Sequence, residues 1–117
     1  MTNPRALGKQ AEAVALEFLR RRGLHCLWRN FSTRQGEIDL IMEEAGSIVF
    51  IEVRQRATQR FGGALESITA RKRHRVIAAA RYYLLIHAPN AACRFDVVAL
   101  DGQGRIEWIR DAFQVTA

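Results

Sequence analysis

The sequence contains little cysteine, proline or glycine, and these shortages exclude several classes of protein. Its 117 residues include two cysteines, two prolines and eight glycines. Cys26 and Cys93 lie far apart, form no CxxC motif and have no histidine at zinc-ligand spacing, so a structural zinc site lacks ligands. With 49% hydrophobic and 26% charged residues, the composition excludes a collagen-like or low-complexity chain and is typical of a globular domain.

A long apolar run is also missing from the sequence. No stretch approaches the roughly 20 apolar residues that a membrane span requires. The first 22 residues form a charged amphipathic segment that lacks the apolar centre of a signal peptide. We therefore expect a cytoplasmic protein with no membrane partner. Its length predicts one domain that covers residues 1–117.

Positive charge is concentrated in one part of the chain. The formal net charge is +6, and 16 of the 18 basic residues are arginine. Residues 54–81 hold eight basic side chains and one acidic side chain, a net charge of +7, whereas the rest of the chain has a net charge of −1. This concentration predicts a polyanionic partner, with a solvated helix face as the alternative. The predicted nucleic-acid contacts are Arg56, Arg60, Arg71, Lys72, Arg73 and Arg75.

The order of apolar patterns predicts two helices and five strands. Asn3 and Pro4 are typical of a helix start, and Gly23 is typical of a helix end. A second helix ends near His87, before Pro89. The predicted strands cover residues 24–33, 37–43, 47–55, 94–100 and 105–110. Because the second helix is long enough to connect parallel strands, the order αβββαββ predicts an α/β fold with a mixed central sheet flanked by helices.

Two carboxylates lie in apolar strands, where acidic residues are unfavourable. A hairpin turn at Ala45 and Gly46 would pair residues whose numbers sum to 91, which places Asp39 opposite Glu52. Directly opposed like charges destabilise a sheet, so a shared proton, an arginine or a divalent cation must neutralise them. Glu12 on the first helix is also predicted to face the sheet. Three such acids are typical of a magnesium site that acts on phosphate, although each could be a rim residue or salt-bridge partner.

Two short stretches carry a family resemblance. The sequences GEIDLI at residues 36–41 and FIEVR at residues 50–54 resemble the signature motifs of the YraN-like family, which belongs to the PD-(D/E)xK, or restriction-endonuclease-like, nuclease superfamily. The resemblance covers nearly the whole chain and extends to Holliday-junction resolvases. Its other matching positions are Gly8, Ala11, Glu12, Asn30, Gly62, Lys72 and residues 94–97.

This resemblance implies a single restriction-endonuclease-like domain that hydrolyses phosphodiester bonds in DNA with Mg²⁺ or Mn²⁺. Asp39 and Glu52 would be metal ligands, and Glu12 a further or water-mediated ligand. Arg54 occupies the position of the signature lysine; an arginine can stabilise phosphate charge but stays protonated and is a poor base. Lys72, predicted on the inward side of the second helix, is a candidate phosphate contact; it could replace the signature lysine, or its aliphatic stem could simply extend past the apolar stripe to solvent.

Two other functions are compatible with the same residues. A nucleic-acid-binding module with a degenerate nuclease site would keep the basic segment and would tolerate neutral residues at the metal positions. A protein-interaction module would use the fold as a scaffold and would bind its partner without salt sensitivity. The short chain offers no base-reading insertion, so a nuclease would select DNA structure, such as a branch, and two-strand cleavage would favour a homodimer.

Overall fold

Within residues 4–56 and 68–115, two helices and five strands follow one another in the predicted order αβββαββ. The computed structural model describes residues 4–56 and 68–115. The elements are α1 (Pro4–Arg20), β1 (His25–Ser32), β2 (Glu37–Glu44), β3 (Ser47–Arg56), α2 (Ala70–His87), β4 (Cys93–Asp101) and β5 (Ile106–Phe113). The predicted α/β class is confirmed. No helix among the described residues is long and apolar enough to cross a membrane.

The strands form one mixed sheet whose spatial order follows the chain from β1 to β5. All neighbouring pairs are antiparallel except β3 and β4, which are parallel. Parallel neighbours require a crossover connection, and α2 lies in that connection, as predicted. Alternating residues of β3 explain the two layers: Val49 and Ile51 pack with α1, whereas Phe50 packs with α2 on the opposite face.

The hairpin between β2 and β3 has the predicted register. Ala45 and Gly46 both have positive φ angles, 50° and 87°, as a tight two-residue hairpin turn requires. The paired positions run from Glu44 opposite Ser47 to Leu40 opposite Ile51, so each pair sums to 91. The next position along this register brings Asp39 to Glu52.

Irregular backbone explains where the predicted strands were inaccurate. We expected the last strand to end at Arg110, but β5 continues to Phe113. Asp111 interrupts the regular pattern with a φ of 52°, and its N–H donates a 2.9 Å hydrogen bond to Asp96 Oδ1. In β1, Asn30 has a φ of 54° and a register shift occurs between residues 26 and 28, which accounts for the absence of clean alternation.

A glycine allows the turn between β1 and β2 to press against α2. A Cβ atom on Gly36 would lie 2.5 Å from the Arg75 carbonyl oxygen, so no larger residue fits without backbone movement. The Arg75 Nε donates a 3.1 Å hydrogen bond to the Gln35 carbonyl. Thr69 caps the helix by accepting a 3.1 Å hydrogen bond from the Lys72 N–H. These contacts fix the start of α2 beside β2.

Candidate active site

Glu52 lies in the middle strand with its carboxylate almost completely removed from solvent. The residue is 1% exposed, and neither carboxylate oxygen accepts a hydrogen bond from an N–H or hydroxyl group within residues 4–56 and 68–115. Burial first, and then a carboxyl–carboxyl hydrogen bond with Asp39 and the Asp39 charge, raise the pKa of Glu52 to about 10, although the charges of Lys72 and Arg54 oppose this shift. The Glu52 carboxyl therefore holds a proton at neutral pH unless a cation replaces that proton.

Asp39 is half-buried where the ladder between β2 and β3 ends. Its side chain extends the ladder, because Asp39 Oδ2 accepts a 2.8 Å hydrogen bond from the Val53 N–H. This contact holds the Asp39 carboxyl beside Glu52. The predicted approach of two acidic side chains from neighbouring strands is thus present in the fold.

Glu12 approaches the same region from α1. Its Oε1 atom is buried without a hydrogen-bond partner. Partial burial and then the Asp39 charge raise the pKa of Glu12, and a hydrogen bond with the Asn30 side chain partly offsets that shift. The positive φ of Asn30 belongs to a region that asparagine tolerates better than most residues. Asn30 is a positioning residue that sequence reasoning recognised only as part of a motif.

Glu12, Asp39 and Glu52 do not lie close enough together to bind one metal ion directly. Within residues 4–56 and 68–115, no group of three or more acidic, histidine or cysteine side chains has the spacing to hold a metal ion. A water-mediated role for Glu12 is compatible with this spacing, whereas simultaneous direct coordination by Glu12, Asp39 and Glu52 would need side-chain movement. The orphaned oxygens of Glu52 and Glu12 nevertheless fit a hard cation, since carboxylate oxygens are the ligands that Mg²⁺ and Mn²⁺ prefer.

A cleft of about 240 Å³, which we call the acidic cleft, has Asp39 in its lining. Lys72 lines the cleft and places its Nζ atom 3.9 Å from Glu52 Oε1. Its side chain is 43% exposed, so one cation contacts both the buried acid and solvent. The other lining residues are Glu37, Asp39, Arg75 and Val76.

Two cations from different elements, Lys72 and Arg54, act on the Glu52 carboxyl through their charges. Sequence alignment to the motif gives the signature position to Arg54, which is half-buried and acts on Glu52 through its charge. The structure adds Lys72 as a second cation from a different element. The sequence indicated a position near the acids for Lys72, because Lys72 is predicted to lie on an otherwise apolar, inward face of the second helix.

The predicted nucleic-acid contacts surround α2 rather than share one face. Arg71 and Arg75 are exposed, whereas Arg73 is half-buried and its guanidinium carbon lies 5.8 Å from the Phe113 ring. Arg75 and Lys72 therefore border the acidic cleft, and Arg73 faces the end of β5. Arg56 is the last residue of β3, with a side chain outside the described set, and Arg60 lies outside the described residues.

Fold and site define an α/β domain in which β2 and β3 place the Asp39 and Glu52 carboxyls side by side, next to the acidic cleft that Lys72 and Arg75 also line. The chain belongs to uncharacterised protein family UPF0102, whose model matches residues 11–100. This finding confirms the predicted YraN-like family and leaves membership of the nuclease superfamily as a prediction.

Relatives match over almost their whole length. The UPF0102 protein of Ralstonia nicotianae is 52% identical over 117 residues, covering 96% of this chain and 89% of the relative. The UPF0102 protein of Nitrosococcus oceani is 52% identical, covering 92% of this chain and 91% of the relative. The UPF0102 protein of Nitrosomonas europaea is 50% identical, covering 91% of this chain and 92% of the relative. These names state the family alone.

Proposed function

We propose that this protein is a metal-dependent endonuclease that hydrolyses phosphodiester bonds in DNA. The observation that carries the proposal is the buried Glu52 carboxyl, which lies beside Asp39 and whose oxygens accept no hydrogen bond from an N–H or hydroxyl group in the part of the chain that the structure describes. Native proteins rarely retain such a group without a ligand or a chemical role. The order αβββαββ and the GEIDLI and FIEVR motifs support a restriction-endonuclease-like core.

In this proposal, each side chain at the cleft has a separate task. Asp39 and Glu52 would hold Mg²⁺ or Mn²⁺, with Glu12 acting through water, and the Val53 N–H fixes the Asp39 carboxyl. The bound ion would polarise the scissile phosphate and lower the pKa of the attacking water. Lys72 and Arg75 at the cleft would bind phosphate oxygens and stabilise the charge that develops there.

Lys72 is the better candidate for the role of the signature lysine, because its ammonium lies 3.9 Å from Glu52 and also lines the cleft. Arg54 would then supply a fixed positive charge on the strand itself. A lysine is titratable and compact, whereas arginine stays protonated, so the two cations divide what one lysine does in the motif.

A nucleic-acid-binding module with a degenerate site is the second candidate function. The arginine at position 54 and the basic residues of α2, which has no acidic residue, favour it. Binding by either candidate should weaken steeply with salt, because phosphate contacts release counterions. Replacing Arg71, Arg73 and Arg75 with alanine should flatten the salt dependence if they contact phosphate.

The decisive experiment measures cleavage of linear, flapped and four-way DNA with Mg²⁺ or Mn²⁺. We expect Glu52→Gln and Lys72→Met each to lower cleavage by roughly 100-fold or more, the loss typical of a removed transition-state contact. Arg54→Lys should retain or raise cleavage, and Arg54→Ala should lose cleavage while still binding metal. Lys9→Met is the matched control, because Lys9 is exposed on α1.

Two patterns of results would contradict the proposal that this protein is a nuclease. If the wild-type protein, Arg54→Lys and Glu52→Gln are equally inert on every DNA form with both metals while DNA binding persists, the binding module stands. If DNA binding is also absent and a protein partner binds independently of salt, the interaction module stands.

A further inference from the structure

An exposed aromatic surface lies on β1 and α2. Trp28 is 44% exposed and Tyr82 is 50% exposed, and both rings pack against the buried ring of Phe31. Their centroids lie 5.5 Å and 6.2 Å from the Phe31 centroid. We name these three residues the aromatic platform. Since adjacent tyrosines of a helix cannot share a face, α2 alone presents one exposed ring, and β1 supplies the second.

The aromatic platform lies further along α2 than the residues of that helix that line the acidic cleft. Phe31 pairs with Ile38, the residue before Asp39. Tyr82 follows Arg75, which lines the cleft, by seven residues, so both lie on the same side of α2 about 10 Å apart along its axis. A chain that leaves the cleft along this side of α2 meets the platform next.

The elements that present these rings carry one sign of charge. The α2 sequence ARKRHRVIAAARYYLLIH has five basic residues and no acidic residue, and β1 adds Arg29 without an acid. This composition complements a polyanion. A two-fold contact with a second copy of the chain would instead oppose two sets of like charges, which is unfavourable.

We infer that the aromatic platform stacks against unpaired bases of a nucleic-acid strand that enters the acidic cleft. Basic grooves with exposed aromatic rings bind single strands in this manner, because every base offers a flat face. The inference rests on the nucleic-acid partner of the proposed function, and it specifies the substrate class as one with an unpaired segment. Trp28 and Tyr82 would be specificity-determining residues.

The test compares strands that carry bases with a strand of equal length that carries none. Anisotropy titrations with EDTA present would use a 12-nucleotide thymidine strand, a uridine strand and an abasic strand of equal length. We expect the wild-type protein to bind the better of the two base-containing strands at least roughly 10-fold more tightly than the abasic strand. Removal of one stacking ring should weaken binding of the tighter-binding base-containing strand roughly 5- to 150-fold and leave abasic binding unchanged.

Matched variants separate stacking from structural damage. Tyr82→Ala and Trp28→Ala should lose base-dependent affinity, and Tyr82→Phe should retain it because the ring remains. Leu85→Ala is the control, since Leu85 is 74% exposed on the same helix. Thermal unfolding of each variant confirms that it is folded at the titration temperature.

Several results would overturn the inference. Equal affinity for base-containing and abasic strands would show that phosphates alone are bound. A concentration-dependent dimer that Tyr82→Ala dissociates and that the thymidine strand does not displace would assign the platform to self-association. The titrations contain no metal, so binding is measured independently of cleavage. If the protein binds bases but does not cleave DNA, only the nuclease proposal is rejected. If it cleaves DNA but binds base-containing and abasic strands equally, only the stacking inference is rejected.

Discussion

Two buried carboxylates on neighbouring strands differ in almost every contact they make. Asp96 on β4 is 0% exposed and Glu52 on β3 is 1% exposed. Asp96 is paired in register with Ile51, so the two acids point to opposite faces of the sheet. Asp96 accepts hydrogen bonds from the Arg94 guanidinium, from Trp108 Nε1 at 2.9 Å and from the Asp111 N–H at 2.9 Å. Glu52 accepts none.

The difference separates a structural acid from one that is available for chemistry. Arg94 also contacts Glu44 at 2.8 Å, and Arg110 reaches the same Glu44 oxygen at 2.6 Å, so the Asp96 network ties β4 and β5 to the β2–β3 hairpin. Its charges and donors are paired within the fold. Among the described residues Glu52 has no comparable set of donors: Lys72 Nζ lies 3.9 Å from its Oε1, and a proton or an added ligand would further stabilise the buried carboxyl.

Removing the structural acid should have the largest effect. Asp96→Ala would leave the Arg94 charge and the donors of Trp108 and Asp111 without their buried acceptor. We expect the free energy of unfolding, measured by urea denaturation, to fall by about 3–5 kcal/mol. Glu17→Ala, which breaks an exposed ion pair with Arg21, should cost less than about 1 kcal/mol. Similar losses for the two variants would contradict the distinction.

Neutralising Glu52 should raise the free energy of unfolding, whereas removing Asp96 should lower it. The raised pKa of Glu52 means that the folded protein keeps a proton that the unfolded chain releases at lower pH. This carboxyl therefore stabilises the fold fully below its ordinary pKa of 4.5, and the contribution falls as pH rises towards about 10. Without metal at pH 8, Glu52→Gln should raise the free energy of unfolding by on the order of 2 kcal/mol.

The pH dependence provides the control for this prediction. Urea denaturation from pH 5 to pH 9 with EDTA should show a steeper decline for the wild-type protein than for Glu52→Gln. Added Mg²⁺ or Mn²⁺ should restore wild-type stability and leave the variant unchanged, because ligands stabilise the state that binds them. Parallel pH profiles would mean that Glu52 is not the titrating group.

Local signals explain why the fold was predictable. The Ala45–Gly46 turn fixed a register that alternation alone leaves open, and the length of α2 indicated a crossover. The end of β5 was not predictable, because Asp111 adopts a positive φ to reach Asp96, a partner fifteen residues away in sequence. Contacts between distant residues override local preference at this position.

The candidate site was predictable only in part for the same reason. Register arithmetic brought Asp39 to Glu52, and the apolar stripe of α2 placed Lys72 on the inward side. The contact between Lys72 and Glu52 depends on how α2 docks, and that docking is set by the close approach of Gly36 to Arg75. The platform combines rings from β1 and α2, which no single pattern in the sequence connects.

The smallest predicted effect concerns Asp39, which shares one property with Asp96 and another with Glu52. Like Asp96 it accepts a backbone hydrogen bond, here from the Val53 N–H, and like Glu52 it contributes repulsion between acids. Asp39→Asn keeps an oxygen acceptor and removes the charge, so metal-free stability should be unchanged or slightly higher. Asp39→Ala removes the acceptor and should cost about 1 kcal/mol.

Metal titration completes this test, because both Asp39 variants should lose metal-dependent stabilisation while differing in metal-free stability. Urea denaturation with and without Mn²⁺ measures both quantities on the same samples. A loss of several kcal/mol in metal-free Asp39→Asn would mean that the charge of Asp39, rather than its acceptor oxygen, holds β2 and β3 together. Asp39 would then be a structural acid like Asp96, and Glu52 and Glu12 would remain as the site's carboxyls with unsatisfied oxygens among the described residues.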